Sequence, residues 1–469
     1  MFYGRETELQ VLEETYNKTG FQMTVIYGRR RIGKSELIRH FLKNKRSSYY
    51  TASESSLEIN VQKWSEQFIA DLVPSAKGAL FTDLDNFFEF VVNQCKNERT
   101  VIALDEIPYI AQADSSFLSI FQRVIDTKLA KSNIYLIICG SAISFMEKEI
   151  LREKSPIFGR RSNQIFLKPF NYIEAARFVL KYTPEEKAIV YGVTGGVAKY
   201  LSLFDDNLSL DENIINIFFK TSGYLYEEPT NLLTQEFRSI ANYNTVIEVC
   251  SSGVNKMNEI ADKTHLSTAA LSYILSGLMT TGIISKITAI TEEKNKKKSK
   301  YEITDGMYRF WYKFIPSARS TIEMNRGEKY YLKNVKPRLH EFMGSVFEQM
   351  CRYYTLLQGL DGNLHCDVTM TGTWWGNDHN HNQTDIDVVG LDMGAKQAVL
   401  GECKFKNEEI DKSVYDALVL RKGLIDHSFS EVHFLFFSLS GFSKWMLDKE
   451  KEDGDRIKLI TLKEMYKKN

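Results

Sequence analysis

The chain has no net charge: 60 Lys and Arg residues offset 60 Asp and Glu residues over 469 positions. A basic overall field that gathers nucleic acid is therefore excluded, and any such attraction has to come from local clusters. No apolar run approaches the ~18 residues that cross a bilayer. The opening Met1-Phe2-Tyr3-Gly4-Arg5-Glu6 also lacks the pattern of a secretory signal. No membrane association and a cytoplasmic location are expected. Six cysteines (Cys95, Cys139, Cys250, Cys351, Cys366 and Cys403) include no C-x-x-C pair. Reduced, structural thiols are expected, with neither disulfides nor zinc. What the chain does have is 43% hydrophobic residues, enough for about three domains with real cores.

The most specific motif is Gly28-Arg29-Arg30-Arg31-Ile32-Gly33-Lys34-Ser35, a complete G-x-x-x-x-G-K-S loop between the apolar run Met23–Tyr27 and the helical pattern Glu36–Leu42. The two glycines let the backbone curl so that N–H groups face phosphate. Lys34 reaches the outer phosphates, and the Ser35 hydroxyl is placed to hold Mg²⁺. ATP is the expected ligand. A second apolar run, Thr100–Leu104, ends in Asp105 and Glu106. Asp105 is expected in the Mg²⁺ shell, and Glu106 is expected to orient or deprotonate the attacking water. A third run, Ile134–Gly140, ends in Ser141, which is read either as a γ-phosphate sensor or as the cap of a helix over 142–150.

Alternation of helical patterns with these runs predicts a doubly wound parallel α/β sheet. A helical lid is expected to follow, in which Arg160 or Arg161 is either an arginine finger or half of a surface pair. Together these form an ATPase domain over residues 1–225.

The opening Phe2–Leu9, the Arg-rich phosphate loop, Asp105-Glu106, Cys139-Gly140-Ser141, Phe158-Gly159-Arg160 and Thr194-Gly195-Gly196-Val197 resemble the archaeal-type ATPase family of the STAND branch of the AAA+ class. Many relatives have proline after the paired glycines, where this chain has Ala198.

Residues 226–315 read as a winged helix-turn-helix. A helix is expected over 232–250, followed by a short turn. A helix over 268–280 capped by Ser267 and closed by Gly282 comes next, with a hairpin as the wing. Leu271, Ile274, Leu275 and Leu278 share the inner face, leaving Thr268, Ser272 and Tyr273 outside. Lys294, Lys296, Lys297, Lys298 and Lys300 form either a phosphate-contacting wing, worth about 0.9 log unit of salt dependence per neutralised phosphate, or a solvated hairpin tip.

Residues 316–469 carry a second constellation. Thr384–Gly390 and Ala398–Phe405 read as a hairpin in which Asp385 and Asp387 share one face, as do Glu402 and Lys404. An upstream helix supplies Glu348. This set resembles the PD-(D/E)xK superfamily of restriction-endonuclease-like domains. The resemblance implies metal ligation by Glu348, Asp387 and Glu402 (Mg²⁺, with Mn²⁺ as substitute) and catalysis by Asp387, Glu402 and Lys404. An exposed salt-bridged hairpin is the alternative. His379-Asn380-His381 is read as loop, and Trp374 and Trp375 as anchors of that loop or as base-stacking residues.

The expected protein is an ATP-hydrolysing switch controlling a nucleic-acid-associated nuclease module, with DNA favoured over RNA and with self-association or a regulatory partner. The alternatives are a non-cleaving signalling ATPase whose C-terminal domain is an interaction module, and an ATP-gated winged-helix transcription regulator.

Overall fold

A computed structural model describes residues 2–96, 98–290, 299–378, 380–425, 429 and 431–467. The chain divides into two compact units: one holds residues 1–170 with Val197–Lys199, and the other holds Asn171–Gly196 with residues 200–469. The helical segments expected to complete the ATPase domain up to residue 225 thus cluster with the second unit, apart from Val197–Lys199.

The first unit is built on β1 (Gln22–Tyr27), β2 (Ser47–Thr51), β3 (Thr100–Asp105), β4 (Ile134–Gly140) and β5 (Asn163–Phe166). They form one parallel sheet in the order β2-β3-β4-β1-β5. Every residue of β3 and β4 is buried, which is why both strands read as continuous apolar runs rather than alternating ones. Trp64, Phe87, Phe88 and Phe121 pack edge-on and tilted in the core beside this sheet. The chain order reverses at β1. Because β4 lies between β1 and β3, the ends of three strands meet along one carboxyl edge, the place where an open parallel sheet exposes backbone and side chains to a ligand.

In the second unit, the helices Ala241–Ser251, Met257–Thr264 and Thr268–Thr280 are followed by an antiparallel hairpin of β6 (Ile284–Thr288) and β7 (Ser299–Ile303). The Ser267 hydroxyl accepts from Ala270 N–H, and Leu271, Ile274, Leu275 and Leu278 are buried. Thr268, Ser272 and Tyr273 face solvent. The single helix expected over 232–250 is two, Glu228–Glu236 and Ala241–Ser251. Phe237 turns extended at the break, and its ring stacks on Tyr243 at 3.8 Å, so aromatic packing outweighs helical continuity. Lys300 lies on β7, while Lys294, Lys296, Lys297 and Lys298 fall outside the described residues.

The C-terminal sheet comprises β8 (Met370–Asn377), β9 (Gln383–Asp392), β10 (Gln397–Lys404), β11 (Glu431–Ser438) and β12 (Ile457–Thr461), in the order β12-β11-β10-β9-β8. β8, β9 and β10 form an antiparallel meander, whereas β10, β11 and β12 run parallel. The helices Lys412–Leu420 and Lys444–Glu452 lie in the connections between the parallel strands, as parallel pairing requires. The long helix Leu339–Leu360 packs across β8, β9 and β10.

Candidate nucleotide site and C-terminal acid cluster

The phosphate loop links β1 to the helix Lys34–Leu42, which is seated by the buried Leu37, Ile38 and Phe41. Gly28, Arg31 and Gly33 have φ of +149°, +71° and +93°. A Cβ at Gly28 would lie 2.4 Å from the Leu167 carbonyl oxygen and 2.6 Å from Ile32 Cδ1, so the loop needs glycine there for both conformation and space. The Lys34 ammonium is buried and donates to the Gly28 and Arg29 carbonyls at 2.9 Å each, bending back over the loop it serves. Residues 197–199 touch the same loop, with Lys199 N–H donating to the Arg31 carbonyl at 3.0 Å.

Ser35 Oγ donates to Asp105 Oδ2 at 2.6 Å, joining the loop to the end of β3. A second hydroxyl reaches the same oxygen, that of Tyr49 on the neighbouring β2. Burial, together with the adjacent Asp105 charge, holds the Tyr49 phenol protonated well beyond its ordinary range. Glu106, at φ +54°, opens the helix Ile107–Ala113 and turns its side chain toward β4. There Glu106 Oε2 accepts from the Ser141 hydroxyl at 2.9 Å and from the Ser141 N–H at 3.1 Å. Ser141 makes no capping bond, since the following short helix starts at Ile143 behind Ala142. The helix-cap alternative for Ser141 is therefore corrected: its hydroxyl serves Glu106.

Arg160 pairs with an acid outside this group. Its Nε and NH2 make a bidentate pair with Asp126 at 2.7 Å each, and NH1 donates to the Pro156 carbonyl at 2.7 Å. The neighbouring Arg161 donates to the Leu151 carbonyl and lies over the Phe158 ring.

In the C-terminal sheet, the β9–β10 register pairs Val388 with Gly401, bringing Asp387 alongside Glu402 at the end of the hairpin. Asp387 Oδ2 accepts from Cys403 N–H at 2.9 Å. Burial raises the Asp387 carboxyl to about 7, and the charges of Glu402 and Glu348 act in the same direction. Glu348 is also raised, first by burial. Its neighbour on the helix, Arg352, lies 3.6 Å away and donates to the Asp387 carbonyl at 2.7 Å. Glu402 is ion-paired on both oxygens, to Lys404 Nζ at 2.6 Å and to Arg421 NH1 at 2.7 Å. Burial lowers the Lys404 ammonium, but the charge and hydrogen bond of Glu402 together with the charges of Asp387 and Cys403 oppose it, and the net shift is upward.

The acids and the lysine expected to work together are thus gathered on one edge. Among the described residues no group of three or more His, Cys, Asp or Glu side chains is gathered closely enough to hold a metal ion as it stands; Lys404 and Arg421 pair with Glu402, and the Cys403 N–H donates to Asp387. All six cysteines are free, and no described helix is long and apolar enough to cross a membrane.

Tyr49 and Arg421 escaped the sequence reading. The β-prone Ser47–Thr51 run signals a strand, but only the sheet order puts Tyr49 beside Asp105. Arg421 follows the Lys412–Leu420 helix with no motif of its own.

Residues 2–204 match the model of an ATPase domain predominantly from Archaea, which spans the whole nucleotide site. Residues 311–414 match that of archaeal and bacterial proteins of unknown function, which spans Glu348, Asp387, Glu402 and Lys404. The chain is similar to an uncharacterized protein of Methanocaldococcus jannaschii, 28% identical over 427 residues that cover 91% of this chain and 92% of the relative. An uncharacterized ATP-binding protein of the same organism is 46% identical over 46 residues, 10% of this chain and 78% of that protein. Among solved structures, the Walker-type ATPase of Pyrococcus abyssi aligns with a TM-score of 0.49 and 18% identity, over 66% of this chain and 96% of its own.

Proposed function

Since the chain carries an archaeal-type P-loop ATPase domain and, behind it, the C-terminal domain shared by archaeal and bacterial proteins, we propose that it is an ATP-hydrolysing switch controlling a metal-dependent, nucleic-acid-cleaving module. The observation that carries the ATPase half is the Ser35–Asp105 hydrogen bond at 2.6 Å. A hydroxyl and a carboxylate within one hydrogen bond, with phosphate oxygens and water to complete the shell, fit Mg²⁺. When bound, Mg²⁺ neutralises charge on the transferring phosphoryl group. Lys34 exchanges its loop carbonyls for outer phosphate oxygens, and the loop N–H groups hold the remaining phosphates. Glu106 takes the proton of the attacking water, oriented by Ser141. Arg160, held by Asp126, acts as a finger, in its own chain or toward a second copy, only after that pair opens.

The chain itself suggests the coupling route. Val197–Lys199, in contact with the phosphate loop, is continuous on both sides with segments of the second unit. Gly195 and Gly196, at φ +60° and +71°, form a turn that can absorb a change on one side. ATP acts as a switch to the extent that it binds one arrangement of this segment more tightly than the other.

In the C-terminal domain, Asp387 and Glu402 with Glu348 would hold Mg²⁺ or Mn²⁺, and Lys404 would steady the attacking water. DNA is the favoured substrate. The three helices and hairpin between the two sites support a winged helix-turn-helix, with Thr268, Ser272 and Tyr273 presented outward. One observation favours a second reading, a binding module that does not cut: Arg421 and Lys404 neutralise Glu402 from both sides.

The test is ATP hydrolysis together with Mg²⁺- or Mn²⁺-dependent cleavage of single- and double-stranded DNA and RNA. Lys34→Ala is expected to abolish ATP turnover, and Asp387→Ala to abolish cutting while leaving ATP turnover intact. ATP turnover without cleavage under any condition would select the binding module.

A further inference from the structure

Beside the acid cluster, the hairpin strand β7, the sheet strands β8 and β9, and the start of the helix Met257–Thr264 enclose a half-open cleft of about 450 Å³. Its walls include Lys256, Lys300, Trp375, Asn377, Gln383 and Asp385. The Lys300 ammonium lies 4.2 Å from the centroid of the half-buried Trp375 ring. Lys256 is solvent-exposed, with Glu259 at 3.4 Å on its own helix. An aromatic face covered by a displaceable cation, a second cation and two side-chain amides within one concavity are the groups that recognise a base, a phosphate and a base edge together.

The cleft also leads somewhere. Along β9, Asp385 and Asp387 project to the same side, about 6.7 Å apart at the usual strand rise, roughly one nucleotide step. Asp385 is close enough to Glu348 for its charge to act on that carboxyl. A chain of phosphates entering over Lys256 and Lys300 would therefore continue toward Asp387 and Glu402.

We propose that this cleft binds one nucleotide unit of a single-stranded nucleic acid, its base on the Trp375 indole and its phosphate between Lys256 and Lys300, delivering the next phosphodiester to the acid cluster. The assignment rests on the reading of the C-terminal domain as a nucleic-acid site. Lys300 leaves the ring face for phosphate as the base takes its place, so the site passes from a cation–π contact to stacking with its charges satisfied.

The full-length protein is titrated, in chelator to prevent cleavage, against fluorescein-labelled 12-nucleotide dT and rU strands, with anisotropy as the readout and AMP as competitor. Trp375→Ala and Lys300→Ala are each expected to weaken strand binding by about tenfold or more, with Trp375→Phe recovering most of the loss and ATP turnover unchanged. Lys300 is half-buried on the hairpin strand β7 and lies in no hydrophobic core, so its variant stays informative even if Trp375→Ala lowers the melting temperature. Strand binding by the wild type that Lys300→Ala and Trp375→Phe/Ala leave unchanged overturns the cleft while the nucleic-acid reading stands. No strand binding by the wild type overturns both. AMP binding as tightly as the strand overturns the strand assignment in favour of a free nucleotide.

Discussion

Ser141 donates both its hydroxyl and its backbone N–H to one oxygen of Glu106, at 2.9 and 3.1 Å, across 35 positions of sequence. The bond spans the ends of β3 and β4, so the expected water-activating carboxylate is aimed by the strand that separates it from the phosphate loop. Glu106→Gln is expected to lower kcat for ATP by about 10²–10⁴ while leaving ATP binding near wild type. Ser141→Ala retains the N–H bond and removes the other, and is expected to lower kcat by about 3–10-fold with little change in nucleotide Kd. Single-turnover hydrolysis beside equilibrium binding checks both; an unchanged kcat in Ser141→Ala would leave that serine a purely structural role.

Tyr49 and Ser35 share Asp105 Oδ2. Tyr49→Phe keeps the ring packed under the Arg39 guanidinium and removes only the hydroxyl. Freed of one donor, Asp105 is expected to bind the metal complex of ATP differently from wild type by up to about tenfold, with metal-free ATP affinity unaltered. Titration of nucleotide with and without Mg²⁺ distinguishes the two.

Gly28→Ala places a methyl group 2.4 Å from the Leu167 carbonyl oxygen at a φ of +149°. Strain of about 1–3 kcal/mol is expected, with loss of ATP binding exceeding the fall in melting temperature, because the distortion falls on the loop itself. Calorimetric unfolding with and without ATP reads both effects.

Asp387 is held up to about 7, against an ordinary value of 3.8, by burial and by the charges of Glu402 and Glu348, with Lys404 and the Cys403 N–H opposing. The folded chain therefore keeps a proton that the unfolded chain has released between about pH 4 and pH 7. Stability contributed by this group falls as pH rises through that window and is level above it. Asp387→Asn is expected to flatten the slope and to exceed wild type at pH 8 by on the order of 1–4 kcal/mol in metal-free buffer. Denaturant unfolding at pH 5 and pH 8 measures it; a wild-type chain equally stable at both would refute it.

Arg421 and Lys404 take one oxygen each of Glu402. If the domain cuts, Lys404→Met abolishes cleavage, whereas Arg421→Ala frees a carboxylate oxygen and tightens the apparent Mn²⁺ affinity severalfold. Cleavage rates across a Mn²⁺ titration separate the two substitutions.

The phosphate loop was readable because its information is local. The glycine spacing, the lysine and the hydroxyl all fall within eight residues, and the apolar runs on either side state that a buried strand enters and a helix leaves. The same holds for the alternation along β9 and β10, which puts Asp385 with Asp387 and Glu402 with Lys404 by residue order alone. The break at Phe237 was not readable in this way, because it depends on a ring six residues further on.

Chain order and local pattern were thus sufficient for the identity of the nucleotide-binding loop, the acids at the strand ends and the parallel sheet that carries them. Tertiary structure alone settled which group each side chain serves: Ser141 aims Glu106, Tyr49 joins Ser35 on Asp105, Asp126 holds Arg160, and Arg421 closes on Glu402. Backbone conformation answers to neighbours a few residues away, whereas these pairings join segments from 19 to 70 positions apart. Their geometry exists only once sheet order and register have brought those elements side by side.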